Sequence, residues 1–529
     1  MKVTPIGVLS VAVCLVAATV QTQGNVIAVP AGGDLQDAIN RAQPGDTISL
    51  ARGATFVGNY VLPAKAGTQF ITIRTEGDDG LPPANQRMNP TYAPQLAKLK
   101  SSNSTAVLRT DPGAHHWRLQ LLEFQANVGG FTDIILLGDG TRSQNDLSEV
   151  PHHLVIDRCF VHGDPRVGQK RGIALNSAST TIVDSYIADI KAAGQEAQAI
   201  AGWNGPGPFV IENNYLEAAG ENFMLGGSDP GIPNLVPSDV TFRRNDLSKQ
   251  TQWRNSKWSV KNLFELKNAR RVLIEGNLFE YNWPDAQPGY AIVLTPRNSG
   301  STVWATVEDI TFQSNVVRHV AAAFNLLGED NVLPSGPARR IRIANNLVYD
   351  VNSKAWGGNG FFLLLGDNPA DVSVQHNTII HTGNLISAYG GTKAKPQPIV
   401  GFTFEDNIAR HNKYGVFGDG LSSGADTLAA YFPGAVFSHN VLAGGNSSKY
   451  PGGNFFPSEQ EFEQQFADFA GGDFHLAATS KWKAAASDGS DLGANIDTLN
   501  SVLSGARVRE RPERPRTGPG RGGRGSLNP

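Results

Sequence analysis

Ten lines of this sequence can be laid over one another. They are LVIDRCFVHG from Leu154, TIVDSYIADI from Thr181, VIENNYLEAA from Val210, VTFRRNDLSK from Val240, VLIEGNLFEY from Val272, ITFQSNVVRH from Ile310, IRIANNLVYD from Ile341, VSVQHNTIIH from Val372, FTFEDNIARH from Phe402 and VFSHNVLAGG from Val436. Aligned, they stack Cys159, Ser185, Asn214, Asn245, Asn277, Asn315, Asn346, Asn377, Asn407 and Asn440, at steps of 26 to 38 residues. Each line alternates with a two-residue period before the Asn, and a second short strand precedes it, as in FMLGG, LFELK, AIVLT, AFNLL and GFFLLLG. A unit of this size buries little alone, so stacked neighbours must share one core. The repeat predicts an all-β parallel solenoid. A β-propeller or a two-sheet sandwich stays open on the repeat alone, but both need hairpins, and these lines lack paired strands joined by Asn-Gly or Asp-Gly turns.

The recurring Asn has a structural reading. At a tight corner its amide turns inward and bonds backbone or the next Asn, and Asn tolerates a left-handed backbone. Cys159 falls in the same column and is expected to be buried and inert.

The chain opens with MKVTPIGVLSVAVCLVAATVQTQG, a charged residue followed by a short apolar run and small residues, which reads as a secretory signal peptide over residues 1–24. The mature protein is then secreted, periplasmic or at the cell surface. Cys14 leaves with that segment and Cys159 is the sole remaining cysteine. No internal disulfide is available, so the 40% hydrophobic composition must supply the core. A net charge of -3 gives no general argument for nucleic acid or anionic membrane as partner. The tail RVRERPERPRTGPGRGGRGSLNP is rich in Pro, Gly and Arg and is expected to be disordered. The expected divisions are a β-helix over 25–445, a closing segment over 446–499 and the tail over 500–529, in a monomeric chain.

GGDLQDAINRAQPGDTISLARGATFVGNYVLP, from Gly32, resembles the entry of a pectin-lyase-like right-handed parallel β-helix. There an amphipathic helix caps the first coil, and Leu35, Ala38, Ile39 and Ala42 supply its apolar face. GGDFHLAATSKWKAAASDGSDLGANI is similar to the closing segment of such proteins. The piece NNYLEAAGENFML is similar to the part of family 6 alginate and chondroitin lyases where an Asn-rich turn precedes glutamates near calcium. That family continues with a further Glu and a Lys-Ser pair, whereas this chain reads MLGGSDP, so the resemblance assigns no catalytic lysine.

Candidate chemistry comes from the loops and strands after the Asn column. Trp253, Trp258, Trp283 and Trp356 belong to one loop class and are candidate sugar-stacking rings, with packing under their own loops as the competing reading. Alternation in FELK sends Phe264 and Leu266 one way, and Glu265 and Lys267 the other, outward and near Glu221 of the preceding coil. A uronate lyase needs a base and a cation for the developing charge. Lys267 or Lys257 is the candidate base, Arg297 the carboxylate holder, and Glu217, Glu221 and Glu265 the candidate oxygen ligands for Ca²⁺. A glycoside hydrolase would use two carboxyl groups, Glu221 with Glu265 or Glu280 with Asp285. The expected partner in either case is a polysaccharide or oligosaccharide. A non-catalytic glycan-binding or surface structural protein is the third reading. His115-His116 and His152-His153 are adjacent pairs, and neighbours on a strand point opposite ways, so neither pair is expected to chelate a metal by itself.

Overall fold

The computed structural model describes residues 24–503, so the leader and the Arg507–Pro529 tail lie outside the described residues. Three long parallel sheets of 14, 13 and 12 strands wrap one core as a right-handed parallel β-helix. Each coil contributes one strand to each sheet in turn, so consecutive coils pair in parallel, as Val240–Arg243 does with Val272–Glu275. Among the described residues only two small antiparallel hairpins depart from this, Gly391–Thr392 with Lys395–Pro396 and Phe466–Asp468 with Asp473–Leu476.

The entry is capped by the helix Leu35–Arg41, with Asp34 accepting from the Asp37 N–H at 3.0 Å as its N-cap. Leu35, Ala38, Ile39 and Ala42 are buried against the first coil. Inside, phenylalanines pack on one another, Phe223 stacking on Phe264 of the next coil at 5.3 Å and Phe312 meeting Phe324 of its own coil edge-on at 5.1 Å. Such contacts contribute about 0.5–1.5 kcal/mol beyond the area they bury.

The Asn column is a continuous ladder. Asn245 donates from its backbone N–H to Asn277 Oδ1 at 2.9 Å and from its amide to the same oxygen at 3.1 Å. Asn277 repeats both bonds to Asn315, each at 2.9 Å, and its amide also donates to the Phe242 carbonyl at 3.0 Å. The ladder runs from Asn214 to Asn440 and one step further, to Asn454, which breaks the sequence period. Cys159 is buried in this column, and burial pushes its thiol up to about 12. The left-handed residue is the one before the ladder position: Asn213, Arg244, Gly276, Ser314 and Asn345 all have φ between 54° and 64°. The ladder Asn supplies hydrogen bonds to the corner and its predecessor supplies the turn.

The closing segment folds back along the outer face of the 13-stranded sheet. Phe462, Phe466, Phe474, Trp482, Leu492 and Leu499 cover Val316, Leu347, Ile408 and Val441, which explains why that outward row is apolar. A helix, Ile496–Leu503, completes this cover and crosses the expected boundary at 499.

Candidate functional site

On the 12-stranded sheet the alternation carries one irregularity. Asp133, Arg171, Gln198 and Glu221 stand in one register row at the strand starts, and Met224 is level with Glu265 in another. Leu263 and Phe264 are both buried in the core before Glu265, so two consecutive side chains point inward there. Asn222 likewise turns inward and bonds the Leu216 and Ser248 carbonyls at 2.7 and 2.8 Å. The corner thus leaves Glu221 on the outer face, in the same cluster as Glu265.

That face carries a connected polar network. Asp133 pairs with Arg171 at 2.8 Å, Arg171 donates to Gln198 at 2.9 Å, and Gln198 donates to Glu221 at 3.1 Å and to Glu196 at 3.2 Å. Lys261 reaches Glu221 at 3.2 Å and also binds Glu196. Asn262 donates to Glu265 at 3.0 Å, and the Lys267 ammonium lies 3.5 Å from the other Glu265 oxygen. The Glu221 side chain is 0% exposed and that of Glu265 2%, while Lys267 retains 14%. Three carboxylates, Glu196, Glu221 and Glu265, thus face two ammonium groups; Glu221 and Glu265 are buried, while Glu196 remains 44% exposed at the rim. Burial, then Glu265 and Glu196, push the Glu221 carboxyl up to about 7 against the pull of the lysines. Burial opposes the charge on Lys261, but Glu221 and Glu196 outweigh it and hold its ammonium above the ordinary range.

Arg297 enters from the next coil. Its backbone N–H donates to the Lys267 carbonyl at 2.9 Å, and its guanidinium is held by Asp330 at 2.9 Å and Asn331 at 2.7 Å. The structure therefore gathers Glu221, Glu265 and Lys267 in one cluster with Arg297 beside its edge. Glu196, Arg171, Gln198 and Lys261 complete it. Glu196 had no signal in sequence, because its place depends on the path of the AGQEAQ loop.

The other candidates lie elsewhere. Glu217 sits on the 13-stranded sheet, where it accepts from Tyr215 at 2.8 Å and Gln250 at 2.5 Å, so it does not join Glu221 and Glu265 as a third ligand. A calcium ion does not fit the remaining pair: it seeks six to eight oxygens, and two lysine ammoniums already occupy the charged side of these carboxylates. Lys257 lies over the Trp258 ring at 4.4 Å and donates to the Arg166 carbonyl at 3.3 Å, away from the Lys267 cluster's contacts. Trp253, Trp258 and Trp283 form a buried satellite core with Val260 and Ala219. They are 2, 9 and 4% exposed, which leaves no open ring face for a sugar. Packing under the loops takes these three rings. Trp356 is half-buried, and its indole N–H is bonded to Asp350 at 2.8 Å. The alternative carboxyl pair is split too: Glu280 is paired with Arg318, and Asp285 accepts from the Val260 N–H. Lys249 projects inward, where four backbone carbonyls and Asn222 surround its ammonium at 2.6–3.0 Å. Burial pushes it down to about 7, yet those five oxygens favour the proton.

A cleft of about 1030 Å³ lies between the 13-stranded sheet and the closing segment, lined by Tyr215, Lys249, Glu280, Arg318, Tyr349 and Phe474. Several of its polar groups are already engaged, as Arg318 is with Glu280 and Tyr349. The cluster on the 12-stranded sheet is chemically better equipped, because there carboxylates outnumber their counterions and one carboxyl is displaced toward neutrality.

No protein-family profile matches the chain, and no curated protein sequence matches it. Solved structures do. The PL6 family alginate lyase AlyGC superposes with a TM-score of 0.53 at 13% identity, over 82% of this chain and 53% of that one. A mannuronic acid specific polysaccharide family 6 lyase from human gut microbiota gives 0.51 at 12% identity, over 82% of this chain and 92% of that one. The chain thus spans about half the length of the first enzyme and nearly all of the second. At such identities the likeness is distant and partial, and what it establishes is the parallel β-helix fold alone.

Proposed function

We propose that this protein is a carbohydrate-active enzyme that cleaves uronic-acid-containing polysaccharide by β-elimination. The observation that carries the reading is Lys267 placed against the buried Glu221–Glu265 cluster, with Arg297 entering from the adjoining coil. Elimination removes the proton alpha to the uronate carboxylate and then breaks the bond to the C4 oxygen, which leaves and takes up a proton. Lys267 is the assigned proton acceptor, and Glu265 orients its side chain. Arg297 meets the substrate carboxylate, whose negative charge grows as the proton departs. Lys261 neutralises the Glu221–Glu196 pair from within the protein, so the reaction proceeds without calcium. The fold neighbours described as alginate and mannuronic acid specific lyases support a polyuronate as the substrate class.

A hydrolase is the second reading, because a carboxyl displaced to about 7 beside Glu265 is what a general acid requires. The test is a screen of the mature chain against acidic and neutral polysaccharides, with and without a calcium chelator. Ultraviolet absorbance of an unsaturated uronate, insensitive to the chelator, is expected. New reducing ends without that absorbance would replace the lyase by the hydrolase. Binding without either product would leave a glycan-binding module.

A further inference from the structure

The two histidine pairs overturn the expectation that adjacent residues diverge. His116 and His153 adopt left-handed backbones, with φ of 56° and 53°. The turn swings each beside its predecessor: His115 Nδ1 is 2.8 Å from His116 Nδ1, and His152 Nδ1 is 2.7 Å from His153 Nδ1. Parallel pairing sets His115 level with His152. The rings stack in register, His115 on His152 at 4.9 Å and His116 on His153 at 4.6 Å, both with 7° between planes. One ligand nitrogen from each of His116, His152 and His153 lies within 4.8 Å of the others.

We propose that His116, His152 and His153, with His115 beside them, form a binding site for a first-row transition-metal ion of the zinc class, which fastens two successive coils near the entry of the solenoid. The donor set is all nitrogen, with no carboxylate, which suits Zn²⁺, Co²⁺, Ni²⁺ or Cu²⁺ and not Ca²⁺ or Mg²⁺. Metal–nitrogen bonds of about 2.0–2.1 Å place ligand nitrogens roughly 3.0–3.4 Å apart, so binding would open the 2.7–2.8 Å pairs by about half an ångström and draw nitrogens of the two coils, which lie within 4.8 Å of one another, closer together. The rings are partly exposed. The column itself does not demand histidine. Further along, the same left-handed position is Ser179, Asp239, Arg271, Asp309, Arg340 and Asp371. The site lies on the 14-stranded sheet, apart from the Lys267 cluster, and is independent of the lyase reading.

The test is titration of the chelator-treated full chain with Zn²⁺ by calorimetry and with Co²⁺ by visible absorption. One ion per chain is expected, with a melting temperature that rises with free Zn²⁺ and binding that weakens as pH falls through about 6. His116→Asn combined with His153→Asn retains a residue tolerant of the left-handed backbone and should abolish binding. If that variant fails to fold, His152→Ala, which changes no left-handed position, should weaken binding at least about tenfold. His475→Ala, on another face, should bind as the wild type does. No saturable binding by the folded wild type, or unchanged affinity in the folded His116/His153 or His152 variant, overturns the proposal.

Discussion

Two outward faces of this solenoid carry rows of acids and bases, and they behave oppositely. Near the strand starts in the middle of the 14-stranded sheet, Asp239, Arg271, Asp309 and Arg340 alternate coil by coil. Arg271 reaches Asp239 at 2.7 Å and Arg340 reaches Asp309 at 2.5 Å, with all four side chains well exposed. Each partner strengthens the ionisation of the other, holding Asp239 and Asp309 below and the arginines above their ordinary values. On the 12-stranded sheet the same kinds of residue are buried and unequal in number, and the Glu221 carboxyl moves the other way. One-to-one pairing in water leaves a solvated ladder of small energetic weight. Excess carboxylate in a dry network leaves a proton that binds near neutrality, which is a property chemistry can use.

The contrast breaks first if Lys267 is dispensable. Lys267→Ala should lower kcat on the preferred polyuronate by roughly 10²–10⁴-fold with little change in KM, since the amine acts mainly in the transition state. Near-normal turnover would reduce Lys267 to a structural ion pair.

The Glu221 proton gives the next largest effect. Its folded value of about 7 lies above its ordinary 4.5, so the folded state keeps the proton to higher pH. The resulting stability is complete below 4.5 and is lost as pH rises through 7. Relative to wild type, Glu221→Gln should therefore gain stability across that window, by up to about 3 kcal/mol. Urea unfolding at several pH values measures the difference, and a difference that stays flat with pH would contradict the displaced carboxyl.

The ladder between the faces is a control for fold without chemistry. Asn277→Leu should cost about 1–3 kcal/mol, because it strands the Asn245 N–H and the Phe242 carbonyl in a buried corner. Turnover per folded molecule should persist. An unchanged denaturation midpoint would remove the structural role.

The smallest effect is expected on the exposed ladder. Arg271→Ala should change stability by no more than about 0.5–1 kcal/mol, and less in high salt. Activity should be untouched. A large loss in either would show that this face is not merely solvated.

What was legible in the sequence is what depends on period. The Asn column, the capping helix with Leu35 and Ile39 buried, and the outward placement of Glu265 and Lys267 follow from alternation within a strand and stacking between coils. What was illegible depends on the corners. A left-handed residue reverses alternation, so His115 and His116 meet when a strand would part them, and the paired inward positions Leu263 and Phe264 set where Glu265 emerges. A four-residue offset was enough to move Glu217 to a different sheet from Glu221. Loop length hid the rest: whether Trp253, Trp258 and Trp283 faced sugar or one another was decided by how far their loops fold back over Val260. The sequence by itself determined the solenoid, because apolar alternation and a recurring amide have one economical way to be buried. Only the tertiary structure decided which charges are dry, because burial belongs to the neighbours a side chain acquires.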